Sequence, residues 1–435
     1  MITNYNKIFF SQNFYEYLIF FLYSLLPIAL ISGPLISDII ISFSSLVFVI
    51  IIIYKKEFYY FTNIYSSLFW FWCFYLIIRS IFSDNPYLSL ESSLFFFRFG
   101  IFSLSIFYLL KNYKNFKLIF CLSLLFCFSL LIIDGFIQYF FGNNVIGIPY
   151  TENRVSSFFG DEKILGSYLS RLFPLLIGLL IVNNFNKKIT FYIILFIFVS
   201  SDILIFLSGE RSAFFYLVLS TILFIMLMNN FKIVRIAALI LSTIIIFIIS
   251  VNYPQVKGRM VDKTISQLNI QSINKNKYDL KEGKGIRLFS IQHQVIYTSA
   301  FRIFKDNIFF GIGPKMFREV CKRNKYIVKT NLDKSVDGCQ TSPHNYYLQI
   351  LTETGIFGII PIIIIFFSIL YLFIKQIYFK IFYKKIFLND FQISLLICLF
   401  ITLWPIAPTG NFFGNNISII HFLPLGFLIY SFKKV

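Results

Sequence analysis

The chain is short of charge, of acid and of histidine. Only 14% of its 435 residues are Asp, Glu, Lys or Arg, while 57% are hydrophobic. A mean hydropathy of +0.76 excludes a soluble globular fold. Twenty acidic residues stand against thirty-nine basic ones. No Asp-x-Asp pair occurs, and Asp161-Glu162 is the only adjacent acidic pair in an outer loop. Metal-dependent glycosyl transfer through paired carboxylates is therefore disfavoured. The three histidines, at 293, 344 and 421, and the six cysteines show no metal-ligand spacing. No internal repeat stands out, which argues against the paired halves of many secondary transporters.

Apolar runs dominate what is present. About twelve approach the ~20 residues needed to cross a bilayer, near 16–33, 36–54, 64–82, 92–110, 117–140, 164–183, 189–207, 212–228, 233–252, 355–374, 391–408 and 417–432. They predict an all-α polytopic membrane protein of about 12 transmembrane helices with one large, mainly helical periplasmic loop. Residues 1–252 would hold helices 1–9, residues 253–345 the loop domain and residues 346–435 helices 10–12. The first run, preceded by Lys7 and carrying the small Ala29 and Gly33, could pass for a secretory signal. The eleven runs after it point to an uncleaved first helix.

Charge sets the orientation. With both termini cytoplasmic, the inner loops collect Lys55, Lys56, Lys111, Lys114, Lys117, Lys187, Lys188, Lys232 and Arg235, among others, whereas 83–91 and 406–416 hold no Lys or Arg. The net charge of +19 is thus largely a topology signal, and no nucleic-acid partner is expected. Residues 253–345 are the exception, with seventeen Lys and Arg against seven Asp and Glu on the outer side. Membrane lipid head groups or diphosphates are the natural partners of such a segment. Cys73, Cys121, Cys127 and Cys398 lie in apolar spans and read as packing residues. Cys321 and Cys339 share the outer loop, where a disulfide would form in a periplasm, the other state being two thiols.

Within that loop, Lys281 to Gly285 reads as a joint. Residues 286–305 follow as an amphipathic helix with Phe289, Ile296, Ala300 and Phe304 on one face. His293 falls on that face and reads as a packed histidine. Ser342-Pro343 reads as a helix start, with Ser as N-cap and Pro at the first helical position. His344 and Asn345 would occupy the first turn, where free backbone N–H groups favour an anion. Leu348, Leu351, Gly355 and Gly358 would share the His344 face, and Glu353 would point away as a structural residue.

Arg211, between two spans, suits anion binding; an ion pair with Glu210 is the plainer reading. Arg154 lies in the loop 141–163, and Arg287 opens a helix after the joint, a placement that suits a diphosphate clamp. For Arg98 and Arg171, inside spans, salt bridges to Asp134 or Asp202 are the ordinary reading. His421 is expected near the cytoplasmic half of the last span. Arg154, Arg211, Arg287 and His344 would all face one side of the membrane.

These residues resemble the O-antigen ligase family of membrane glycosyltransferases, which shares a domain with O-antigen polymerases. His344-Asn345, Leu348, Glu353, Gly355 and Gly358 match its H-N-x-x-L-x-x-x-x-E-x-G-x-x-G. Gly311-Ile312-Gly313 with Phe317 resembles its G-x-G-x-x-x-F, and Gly209 to Ala213 its short arginine motif. Arg154 with Phe159 and Gly160 resembles R-x-x-G-x-F-G-N, with Ser157 and Asp161 in place of the Gly and Asn.

The resemblance implies a multi-pass protein of the bacterial inner (cytoplasmic) membrane. It would move a finished polysaccharide from an undecaprenyl-diphosphate-linked glycan donor to a lipid A-core acceptor on the periplasmic face, with no cofactor, metal or nucleotide. It implies His344 as general base, or as a further donor to the diphosphate. Arg211, Arg287 and Arg154 would bind the diphosphate, Asn345 would support the site, and the anomeric carbon would be inverted. O-antigen polymerases and protein O-oligosaccharyltransferases are the neighbouring activities. A lipid-linked sugar transporter is the non-enzyme reading.

Overall fold

The computed structural model describes residues 12–183, 187–262, 264–265, 289–328 and 337–432. Among them there is no strand, only isolated bridges in the loop 141–163. The helices are α1 Gln12–Ser32, α2 Pro34–Lys55, α3 Ile64–Ile81, α4 Pro86–Ser93, α5 Phe97–Asn112, α6 Phe116–Phe141, α7 Leu165–Val182, α8 Lys187–Leu207, α9 Arg211–Leu227, α10 Lys232–Asn252, α11 Ile291–Asp306, α12 Tyr346–Phe382, α13 Asp390–Thr402 and α14 Asn415–Phe432, with a few shorter turns between them. Among the described residues, ten segments are long and apolar enough to cross a membrane, α4 and α5 counting as one. Two more helices, α9 and α13, are apolar but shorter. This is an all-α polytopic membrane protein.

The helix ends follow from their flanking residues. Asn63 and Asn85 accept hydrogen bonds from Ser66 N–H and Leu88 N–H, and Asn389 with Gln392 closes a reciprocal capping box on α13. The centre of the bundle is α7 packed on α13, where every residue of α13 except Gln392 is buried. Outward faces such as Phe71, Ile233, Phe247 and Phe367 stand exposed. In a soluble protein that would be a liability; here it is the surface that meets lipid.

Several charged side chains inside the bundle are paired, though not as expected. Arg98 bonds Asp38 at 2.6 Å, and Asp202 bonds Arg235 at 2.8 Å. Asp134 is occupied by the loop after its own helix, accepting from Val145 N–H at 2.9 Å and Ser157 Oγ at 2.5 Å. Neither Asp134 nor Asp202 therefore serves Arg98 or Arg171. His421 lies within the first two turns of α14, about 9 Å along a helix that starts from the 406–416 loop. It thus lies toward the His344 end, against Tyr346 and Phe412, rather than in the far half.

Candidate functional site

The site grows from one end of the bundle. Asp134 and Gln138, buried on α6, fold the loop 141–163 back over the helix ends. Gln138 Oε1 accepts from the N–H groups of Ser156 at 2.8 Å and Ser157 at 2.7 Å. This delivers Arg154, whose Nε donates to Ser208 O at 2.9 Å and whose Nη2 donates to Lys163 O at 2.8 Å.

Ser208 leads into Gly209, whose φ of +67° favours glycine. A Cβ there would lie 2.7 Å from Arg259 Nε and 3.1 Å from Arg154 Cγ, so both arginines pack against this one turn. Arg259 Nε donates to Gly209 O at 3.3 Å. Glu210 uses its carboxylate on the start of α7, accepting from Gly166 N–H at 2.7 Å, Ser167 N–H at 3.1 Å and Ser167 Oγ at 2.6 Å. Arg211 opens α9, close enough to Arg259 for the two charges to repel. Arg154, Arg211 and Arg259 therefore gather about Gly209. Arg259 was not foreseen; its only sequence signal is a Gly-Arg at the start of the basic segment after α10. Arg287 lies outside the described residues.

His344 does not occupy a helical turn. Its φ is +53°, and α12 begins at Tyr346 with Asn345 as N-cap. Asn345 Oδ1 accepts from Leu348 N–H at 3.0 Å, and its Nδ2 donates to Pro405 O at 2.7 Å. The Ser342-Pro343 start was overridden by long-range bonds: Thr409 N–H donates to His344 O at 2.8 Å, and Tyr297 Oη to the same oxygen at 3.4 Å. Asn is as good an N-cap as Ser, so nothing local opposed the shift.

The expected common face of α12 is also interrupted, because Gly355 breaks the helix with φ +67° and ψ −167°. Into the break packs the 308–313 backbone. Ile312 N–H donates to Thr352 O at 3.1 Å, Gly313 N–H to Glu353 O at 2.7 Å and Ile356 N–H to Ile308 O at 2.9 Å. A Cβ on Gly355 would collide with the Phe309 carbonyl, and one on Gly311 with the Glu353 backbone. The Glu353 carboxylate, fully buried, accepts from Phe317 N–H at 3.3 Å and Gln349 Nε2 at 3.1 Å. The two glycine motifs are thus halves of one brace, and Glu353 ties it together. Cys321 and Cys339 form a disulfide with a Cα–Cα distance of 5.1 Å, anchoring the segment that leads to His344.

The brace carries α11 across the site. Its packed stripe is Val295, Ile296, Ser299, Ala300 and Ile303. His293 stands half-buried, its ring 6.2 Å from the His344 ring and nearly perpendicular to it. Ser290 Oγ lies 2.6 Å from His293 Nδ1. Burial lowers the His344 imidazole below its ordinary value, with the Thr409 backbone opposing. Burial, then His344 and Arg211, lower His293 to about 4. That effect of Arg211 on His293 links the arginine cluster to the His344 side of the site.

Beneath, Arg171 on α7 is buried, donating to Tyr346 Oη at 2.9 Å and lying over the Tyr216 ring. Among the described residues no group of three or more His, Cys, Asp or Glu could hold a metal ion. The arrangement offers converging guanidinium groups for an anion, beside two imidazoles held neutral.

Residues 193–363 match the model of the family described as O-antigen ligase. That stretch contains Arg211, Arg259, Arg287, His293, His344 and the brace; Arg154 and Arg171 precede it. A comparison with curated proteins finds no match.

Proposed function

We propose, from the match of residues 193–363 to the O-antigen ligase family, that the protein transfers an undecaprenyl-diphosphate-linked polysaccharide onto lipid A-core. The transfer takes place at the periplasmic face of the inner membrane, in lipopolysaccharide biosynthesis. The observation that carries this reading is the gathering of Arg154, Arg211 and Arg259 about Gly209, with a neutral imidazole pair alongside.

A lipid diphosphate is already a good leaving group, so little activation is needed. As the C1–O bond to phosphate breaks, charge builds on the departing diphosphate. Arg154, Arg211 and Arg259, with Arg287, stabilise it through charge-assisted hydrogen bonds. The acceptor sugar hydroxyl attacks C1 from the opposite face, inverting that centre, and gives its proton to His344. Burial that keeps His344 neutral keeps it ready to accept. Asn345, by capping α12 and bonding Pro405 O, holds His344 in its left-handed turn. Polar head groups of membrane lipids and the basic outer segment would complete the setting.

Lipopolysaccharide from a strain lacking this gene, resolved on a gel, tests the assignment. A ligase predicts bare core, with polymer left on its carrier. Core capped by a single repeat would identify a polymerase instead. Intact lipopolysaccharide with missing glycoprotein would identify a protein O-oligosaccharyltransferase.

A further inference from the structure

Two of the three histidines in the chain meet at this site, and the reading above uses only one. His293 lies outside the packed stripe of α11, on the flank it shares with Tyr297. Both residues of that flank turn to His344: the Tyr297 hydroxyl reaches its carbonyl at 3.4 Å, and the His293 ring meets its ring edge to face at 6.2 Å. The ring is also oriented from behind, because Ser290, the N-cap of α11, engages Nδ1 at 2.6 Å. A histidine that only filled space would need neither arrangement.

We propose that His293 is a positioning partner of the proton-accepting base: its ring, engaged at Nδ1 by Ser290, packs edge to face on His344 and holds that imidazole toward the acceptor hydroxyl. This rests on the glycosyl-transfer reading and deepens it.

The physical need is specific. Burial keeps His344 neutral, and to take the proton its imidazole must also be held toward the acceptor hydroxyl. A second imidazole packed at the ring edge restricts the orientations open to that ring. The step balances. The acceptor oxygen forms its bond to C1, and the C1–O bond to phosphate breaks with its electron pair leaving on the diphosphate. The hydroxyl proton passes to His344 and returns to water after the products depart. The charged and titratable groups facing His293 among the described residues are His344, Arg211 and Tyr297.

The test uses the purified full-length protein with a lipid-linked glycan donor and lipid A-core acceptor. It compares His293→Asn, His293→Ala, His344→Ala and the His293→Asn/His344→Ala double variant. Asn keeps a polar group where Nδ1 stood, and so keeps the Ser290 bond, but removes Nε2. The proposal expects both His293 variants to lose about 10–100-fold in kcat, with donor KM little changed. The double variant should be no slower than His344→Ala. A His293→Asn variant with wild-type kcat overturns the proposal, and it decides the matter even where the Ala variant fails to insert. Full transfer by His344→Ala would be a different failure, removing the base and the reading beneath it.

Discussion

Arg235 and Arg259 stand beside apolar helices at opposite ends of the bundle, and their surroundings could hardly differ more. Arg235 is 1% exposed, bonded to Asp202 at 2.8 Å and to Thr221, with its guanidinium 4.7 Å from the Phe198 ring centre. Arg259 packs on Gly209 together with Arg154 and lies within repulsive range of Arg211, while the nearby Glu210 carboxylate is engaged by the start of α7. The first is a cation whose counter-charge is built into the fold. The second belongs to a cluster of like charges that repel one another, only partly offset by the Glu210 and Glu152 carboxylates. A buried ion pair marks architecture; converging arginines mark a place for a ligand.

The contrast can be broken by substitution. Arg235→Ala leaves Asp202 buried without its cation and should cost about 3–5 kcal/mol. It would appear as a lower unfolding midpoint in detergent, with transfer lost only as folded protein is lost. Replacing Cys321 and Cys339 by Ser frees the segment leading to His344 and should cost about 2–4 kcal/mol, read by the same melt and by easier proteolysis of the loop. Arg259→Ala should do the reverse of Arg235→Ala. It relieves repulsion, so the midpoint holds or rises, while donor turnover drops about 100-fold. If Arg259→Ala melts early and Arg235→Ala does not, the comparison is wrong.

The smallest effect is on pH dependence. His293 folds with a pKa near 4, against an unfolded value of about 6.5. The unfolded state therefore takes up its proton first as pH falls. Stability from this group is fully present above pH about 6.5 and is lost progressively as pH falls toward 4. His293→Asn should flatten that limb in a plot of melting midpoint against pH. Because burial also lowers His344, transfer should hold its rate down to about pH 6.5 and decline only below it.

Much of this molecule can be read along its chain, and the exceptions share a cause. Long apolar runs must become helices in a bilayer because no other local structure satisfies the backbone. That is why α1 to α3, α5 to α10 and α12 follow the hydropathy pattern closely, whereas residues 83–91, expected as a loop, hold most of the helix α4. The pairing of Cys321 with Cys339 agrees with their place in one loop segment before α12. What could not be read depends on partners distant in sequence. Asn345 displaces Ser342 as N-cap because Thr409 and Tyr297 hold the His344 carbonyl in a left-handed turn. Glu353 gains its place from a break at Gly355 filled by residues 308–313.

His293 shared a helical face with Ile296 and Ala300 by periodicity alone, yet it lies on the flank of their stripe. The basic outer segment was assigned wholly to anionic partners, but Arg323 bonds Asp84 at 2.7 Å and Lys315 bonds Glu91. Asp84 precedes α4 and Glu91 lies on it, in the 83–91 stretch that lacks Lys and Arg. Part of that charge is answered within the chain, and the arginines about Gly209 stand out by contrast.

The central claim is that His344 and the arginines about Gly209 serve one transfer from a lipid diphosphate. The direct measurement is the lipopolysaccharide pattern of cells whose only copy of the gene carries His344→Ala, with membrane insertion of the variant verified. The account predicts core without polysaccharide. A normal ladder from that variant would contradict it.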